Sequence, residues 1–254
     1  MRRIITVAGL GAYYRSRLLR EIFESVYEIL RARYRCEYVY KNAIASEILI
    51  GRHSLQTSGL LTEVQAGASK ADLVLINGET VAYEIKTELD SLDRLSSQLA
   101  SYQTAFDRVY VVSHERYLDR IAERLPRTVG LLCLTGDATI SSVREADKDP
   151  TRLDAGTMFD ILRRSEYTSI IKKFYGQVPT VPNTLYYREC RARFLALPTE
   201  DVCGEFAAAL KLRAQGAVSL PLCDLVRTPH SLLLHVLTGQ LGPQHFATLD
   251  LALT

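Results

Sequence analysis

One hairpin constrains the fold of this 254-residue chain more than any other stretch: residues 71–86, ADLVLINGETVAYEIK. Apolar residues flank Asn77-Gly78, a dipeptide suited to the left-handed backbone of a tight turn. Side chains alternate across a strand, so Val81, Tyr83 and Ile85 belong to one face and Ala82, Glu84 and Lys86 to the other. A glutamate and a lysine on a strand otherwise fit for a core require a reason, and the register decides whether Asp72 shares it. A two-residue loop at Asn77-Gly78 sets Asp72 against Tyr83, on the opposite face. A three-residue loop Ile76-Asn77-Gly78, with glycine left-handed in third position and a bulge, sets it against Ala82 and diagonal to Glu84. The second register, or an equivalent bulge elsewhere in the hairpin, is expected; it gathers Asp72, Glu84 and Lys86 on one face.

Around the hairpin the apolar period alternates between that of helix and that of strand. Residues 16–30 align Leu19, Ile22, Phe23, Val26, Ile29 and Leu30 on one helical stripe. Residues 38–50 do the same with Val39, Ala43, Ile44, Ile48 and Leu49, before Gly51 and a polar loop at 52–58. A short strand at 60–64 and a turn at 65–69 lead into the hairpin. Residues 91–106 predict a helix with Leu92, Leu95, Leu99, Tyr102 and Phe106 on one side and Asp90 or Ser91 as cap. Residues 109–112 and 129–134 read as buried strands on either side of an amphipathic helix at 114–125. This order predicts an α/β protein: a mixed central sheet flanked by helices. Residues 136–154 lack periodicity and read as a linker or long loop. Helical patterns resume at 158–164, 165–174, 184–195 and 200–213. The expected organisation is a core with N-terminal helices at 1–135, the linker or loop at 136–154, and a mostly helical region at 155–254.

No apolar run is long enough to span a bilayer, so no membrane role is expected. The start, MRRIITVAGLGAYY, lacks the leucine-rich middle of a signal peptide. Cys36, Cys133, Cys190, Cys203 and Cys223 are dispersed without metal-ligand spacing, which points to reduced thiols in a cytoplasmic protein. His53, His114, His230, His235 and His245 form no catalytic or metal pair, and Gly9-Leu10-Gly11 is no phosphate loop. Net charge is only +2, too small to mark a nucleic-acid protein by itself. Arginines nonetheless cluster at Arg2-Arg3, Arg31/Arg33/Arg35, Arg163-Arg164 and Arg188/Arg191/Arg193, interleaved with Tyr34, Tyr38, Tyr186 and Tyr187. Such clusters suit phosphate contact with base stacking. They equally suit solvated helix faces whose arginine stems cover apolar surface, the better account of any one cluster alone.

Two carboxylates held together on a sheet face repel and call for a cation. Oxygen-only ligands suit Mg²⁺ or Mn²⁺, which leave room for water and a phosphate. A neighbouring lysine can position the water and offset charge building on the phosphate. The residue types are those of phosphodiester hydrolysis.

The string Asp72 … Glu84-Ile85-Lys86 resembles the signature of the PD-(D/E)XK nuclease superfamily, with Lys70-Ala71-Asp72 in place of its Pro-Asp. The continuation DSLDRLSSQL from Asp90, Tyr102, and FDRVYVV from Phe106 are similar to a bacterial branch of that superfamily. The resemblance covers about residues 38–134. It implies a restriction-endonuclease-like core with a mostly helical C-terminal extension. It implies that Asp72, Glu84 and the backbone carbonyl of Ile85 bind Mg²⁺ or Mn²⁺, and that Lys86 assists attack on the phosphate. A further acid usually comes from an upstream element; Glu63 is favoured, with Glu47 the alternative. Gln98, on the inward side of its helix, becomes a site-supporting residue. Arg94 and Tyr102 are candidate substrate contacts, although Tyr102, like Tyr83, reads first as a core residue. The expected function is a metal-dependent nuclease acting on nucleic acid, DNA before RNA. The alternative is a catalytically silent nuclease-like module that binds DNA or protein, and a homodimer or protein partner stays open.

Overall fold

The computed structural model describes residues 17–51, 57–217 and 228–249. The Arg2-Arg3 pair, the Gly9-Leu10-Gly11 segment, His53 with most of the 52–58 loop, and Cys223 lie outside the described residues. Helix α1 (Leu19–Arg33) leads into α2 (Glu37–Ala43), which continues as a wider π-helical segment, Ile44–Ile50. Strands β1 (Gly59–Ala66), β2 (Ser69–Ile76) and β3 (Thr80–Lys86) follow, then α3 (Leu95–Gln103) and β4 (Arg108–His114). A 3₁₀ turn (Glu115–Tyr117) enters α4 (Leu118–Ala122), ahead of β5 (Gly130–Leu134) and β6 (Ile140–Arg144). The remaining helices are α5 (Ala155–Ile161), α6 (Arg164–Tyr175), α7 (Asn183–Leu195), α8 (Thr199–Ala217), α9 (Leu233–Leu237) and α10 (Pro243–Leu249). No helix among the described residues is long and apolar enough to cross a membrane.

The strands form one mixed sheet in sequence order, β1 to β6. The β1–β2, β2–β3 and β5–β6 pairs are antiparallel, and β3–β4–β5 are parallel. The α/β class, with helices covering the sheet and a helical C-terminal part, is therefore as the residue pattern predicts. Each face has its own core. Val74, Ile76, Ala82, Val109 and Val111 pack with Leu95, Leu99 and Tyr102 of α3. Phe159, Phe194, Phe206 and Leu210 of the C-terminal helices join this cluster. Leu73, Leu75, Val81, Tyr83 and Ile85 pack on the other side with Tyr27, Val39, Tyr40 and Ile44.

Three details depart from the sequence reading. Ile76 pairs with Thr80 and Leu73 with Tyr83, so the hairpin loop is Asn77-Gly78-Glu79, with Gly78 at a φ of 75°. The pairing thus sits two residues from the expected register; a shift of two preserves the face, and Asp72 stays on the side of Glu84. Second, Ile140–Arg144 within the expected 136–154 loop is a sixth strand. Its sequence, ISSVR, buries only Ile140, the polar composition of a short edge strand, which leaves no alternating pattern to detect. Third, α3 begins at Leu95 without a capping side chain. Asp90 is used elsewhere: its Oδ2 accepts from the Thr87 amide at 2.8 Å and hydroxyl at 2.7 Å, closing the turn after β3.

Candidate functional site

The site forms where β2 and β3 part. Their ladder runs from Ile76↔Thr80 to Leu73↔Tyr83, and one more step of the same register sets Asp72 across from Glu84. The Asp72 carboxylate instead takes a ladder bond: its Oδ2 accepts from the Ile85 amide at 2.7 Å. In extended backbone the N–H and C=O of a residue leave on the same side. The Ile85 carbonyl therefore faces the side of the strand on which Asp72 lies.

Glu84 and Lys86, the two charged residues of β3, are both buried, at 2% and 7% exposure. Lys86 Nζ donates to Glu84 Oε1 at 2.6 Å and to Gln98 Oε1 at 3.0 Å. Glu84 Oε2 accepts from the Tyr102 hydroxyl at 2.8 Å, and that hydroxyl also lies 2.7 Å from the Lys70 carbonyl. Gln98 and Tyr102 are four apart on α3, hence on one helical face, which is how a single helix serves both sides of Glu84. Tyr102 is fully buried, so it is a support for Glu84 rather than a substrate contact. Burial, then the Glu84 charge, raises its pKa above the ordinary tyrosine value. Tyr102→Phe is expected to cost about 1–3 kcal/mol, the range for stranding a buried acceptor. Urea unfolding of the variant checks this; an unchanged midpoint would show that Glu84 does not depend on the hydroxyl.

Of the two upstream acids, Glu63 is the one that lies beside Asp72. It lies between the pairs Thr62↔Leu73 and Val64↔Ala71, across from Asp72, with a φ of 55°. A left-handed glutamate inside a strand costs on the order of 1 kcal/mol, and such strain persists only where the surroundings enforce it. Here Lys41 does so: its ammonium pairs with Glu63 and lies 2.5 Å from Glu37 Oε1, while Lys70 lies 3.5 Å from Glu63 Oε2. Burial works against both charged partners. Lys41 and Lys70 nevertheless hold Glu63 below the usual carboxylate range, and Glu37 and Glu63 hold Lys41 above the usual lysine value. Glu47 is in the π-helical segment and does not join the acidic group. Arg94 is exposed before α3; it meets Gln98 through its backbone, the Gln98 amide donating to the Arg94 carbonyl at 3.0 Å.

Glu37 and Lys41 were not legible as site residues. In sequence they form an i, i+4 pair like any on a surface helix; only the packing of α2 over β3 brings them to Glu63 and Asp72. Carboxylate oxygens of Glu37, Glu63 and Asp72 lie within 4.8 Å of one another. Burial, and next the Glu84 charge, push the Asp72 pKa up to about 7. Oxygen-only donors carrying excess negative charge fit a hard divalent cation such as Mg²⁺ or Mn²⁺.

Comparison with known proteins gives two kinds of match. A family model described as Bacteriophage P4 protein cII matches residues 31–214. Protein cII of Enterobacteria phage P4 is 28% identical over 158 residues, 61% of this chain and 54% of the phage protein. The chain thus spans about half the length of that relative. A solved structure of a Silicibacter pomeroyi protein of unknown function aligns at 20% identity and a TM-score of 0.34, over 44% of this chain and 73% of that one.

Proposed function

The chain belongs to the bacteriophage P4 protein cII family, and we propose that it is a metal-dependent nuclease hydrolysing phosphodiester bonds, DNA before RNA. Kinship supplies no chemistry here; support comes from the site, and from its resemblance to PD-(D/E)XK nucleases. The observation that carries the reading is a buried lysine fixed between a buried glutamate and a glutamine, beside an aspartate at the parting of two strands. A lysine surrounded by core residues loses side-chain entropy and hydration. Outside a functional site, an apolar residue of similar volume packs the same space at no electrostatic cost.

Asp72, Glu63 and Glu84 with the Ile85 carbonyl would hold Mg²⁺ or Mn²⁺, and Glu37 stands close enough to join them. When bound, the ion supplies activation of a water and charge neutralisation at a phosphate. Lys86 keeps a positive charge at the position where a phosphate oxygen gains negative charge. Gln98 and Glu84 limit the directions its ammonium can take, which keeps it preorganised. Tyr102 anchors the far side of Glu84, so the carboxylate cannot swing with the lysine.

The test is direct. Purified protein is incubated with linear, circular and single-stranded DNA and with RNA, in Mg²⁺, Mn²⁺ or EDTA. Cleavage of DNA with either ion and none in EDTA is expected; intact substrates throughout would overturn the reading. One observation favours a second reading, a silent nuclease-like binding module. Lys86 and Tyr102 occupy both oxygens of Glu84, and Lys41 pairs with Glu63, so much of the acidic charge is already balanced. Calorimetric titration separates the two: Mg²⁺ or Mn²⁺ binding that disappears in Asp72→Ala supports the enzyme, and no binding supports the module.

A further inference from the structure

We propose that a basic cleft beyond the carboxyl ends of β3 and β4 holds one nucleotide unit of a single-stranded nucleic acid next to the proposed cleavage site. The inference rests on the nuclease reading for its direction, but the cleft is a separate feature. It has a volume of about 320 Å³ and is lined by Arg33, Tyr34 and Arg35 from the α1–α2 corner, by residues 87–89 after β3, and by His114 and Arg116 after β4. Ligands of open α/β sheets commonly sit beyond the carboxyl ends of parallel strands.

Charge selects the occupant. Arg33 and Arg116 are exposed, and their guanidiniums make no hydrogen bond or ion pair to a carboxylate among the described residues. Arg35 donates to backbone carbonyls, those of Arg31 at 3.2 Å and Gly136 at 3.1 Å, and so keeps its positive charge unneutralised. The single carboxylate in the cleft, Glu88, lies 3.4 Å from His114 Nδ1. Three guanidiniums against one carboxylate, in a chain of net charge +2, concentrate positive charge where it attracts a polyanion. Tyr34 is 54% exposed, an aromatic face free for an unpaired base to stack on; paired bases in a duplex do not present theirs.

Chain continuity ties the cleft to the site from two directions. Thr87 on the cleft wall follows Lys86 directly. Arg35 is two residues before Glu37, whose carboxylate meets Glu63 and Asp72.

The proposal is tested by fluorescence anisotropy with the whole chain in EDTA, where cutting plays no part. The probes are a labelled oligothymidylate of about twenty nucleotides and a duplex of equal length, each longer than the roughly 4–16 nucleotides that one single-strand groove spans. Wild type is expected to prefer the single strand. The double variant Arg33→Gln/Arg116→Gln should weaken binding about tenfold and lower the slope of log affinity against log salt by about 1.4, two phosphates at about 0.7 each. Tyr34→Ala should weaken single-strand binding about tenfold and leave duplex binding unchanged. Arg127→Gln, an exposed arginine ahead of β5 and outside the cleft, should change neither. Binding by the double variant equal to wild type, equal loss in Arg127→Gln, or no preference for the single strand would each overturn the proposal. Failure of the nuclease reading looks different: wild type that binds through the cleft yet cuts nothing sinks that reading and leaves the cleft.

Discussion

Lys86→Met is expected to lower metal-supported DNA cleavage by about 100- to 1,000-fold, the range for removing one preorganised charge from a transition state. Asp72→Asn is expected to fall at least as far, because it removes a metal ligand. What makes the pair decisive is that their effects on folding run in opposite directions. Lys86 balances the buried Glu84 carboxylate at 2.6 Å, so its loss leaves a buried charge without its cation, and such losses cost about 3–5 kcal/mol. Asp72 is a carboxylate pressed toward another carboxylate, so its neutralisation relieves the fold. A destabilised variant and a stabilised variant that both lose cleavage cannot owe the loss to unfolding. The measurement is initial rate on linear DNA in Mg²⁺ and Mn²⁺, beside a thermal melt of each protein. Wild-type rates in either variant would remove that residue from the chemistry.

The way the site was legible, and where it was not, follows from what each residue's signal depends on. Glu84 and Lys86 stand out because strand periodicity is strict: an acid and a base at every second position of an apolar strand are visible without knowing the fold. Asp72 needed the hairpin register. The expected pairing was two residues away from the observed one, yet the face was right, since parity alone decides the face. Gln98 was readable from its place beside Leu95, Leu99 and Tyr102 on a helical stripe. Tyr102 was ambiguous because tyrosine carries an apolar body and a polar tip, and the structure uses both: the ring packs in the core and the hydroxyl reaches Glu84. Glu37 and Lys41 had no signal at all, because their nearness to Glu63 and Asp72 depends on how α2 packs over the sheet. The edge strand β6 was missed for a related reason. A strand with one buried residue is held by backbone pairing to β5, which side-chain identity does not record.

The aspartate also predicts a pH dependence that needs no substrate. In the unfolded chain its carboxyl loses a proton near 3.8; in the folded protein, burial and Glu84 keep the proton until about pH 7. Between those values the folded state binds the extra proton, so stability falls as pH rises, and above about pH 7 the whole contribution is gone. A shift of about three units corresponds to at most about 4 kcal/mol at about 1.4 kcal/mol per unit. An asparagine in place of Asp72 keeps an oxygen to accept from the Ile85 amide but carries no charge. Asp72→Asn should therefore be more stable than wild type at pH 8 by about 1–4 kcal/mol, and this gain should shrink steadily toward pH 4. For a chain of this length that is a rise of several degrees in melting temperature, at about 2–4 °C per kcal/mol. The experiment is urea or thermal unfolding of both proteins in EDTA from pH 4 to pH 8; parallel curves would show that Asp72 is not crowded by negative charge in solution. Repeating the pH 8 melts with Mg²⁺ or Mn²⁺ extends the same logic to the cation. An ion that binds the folded site raises wild-type stability in proportion to the logarithm of its concentration over Kd, and Asp72→Asn, lacking the ligand, should show little of that rise.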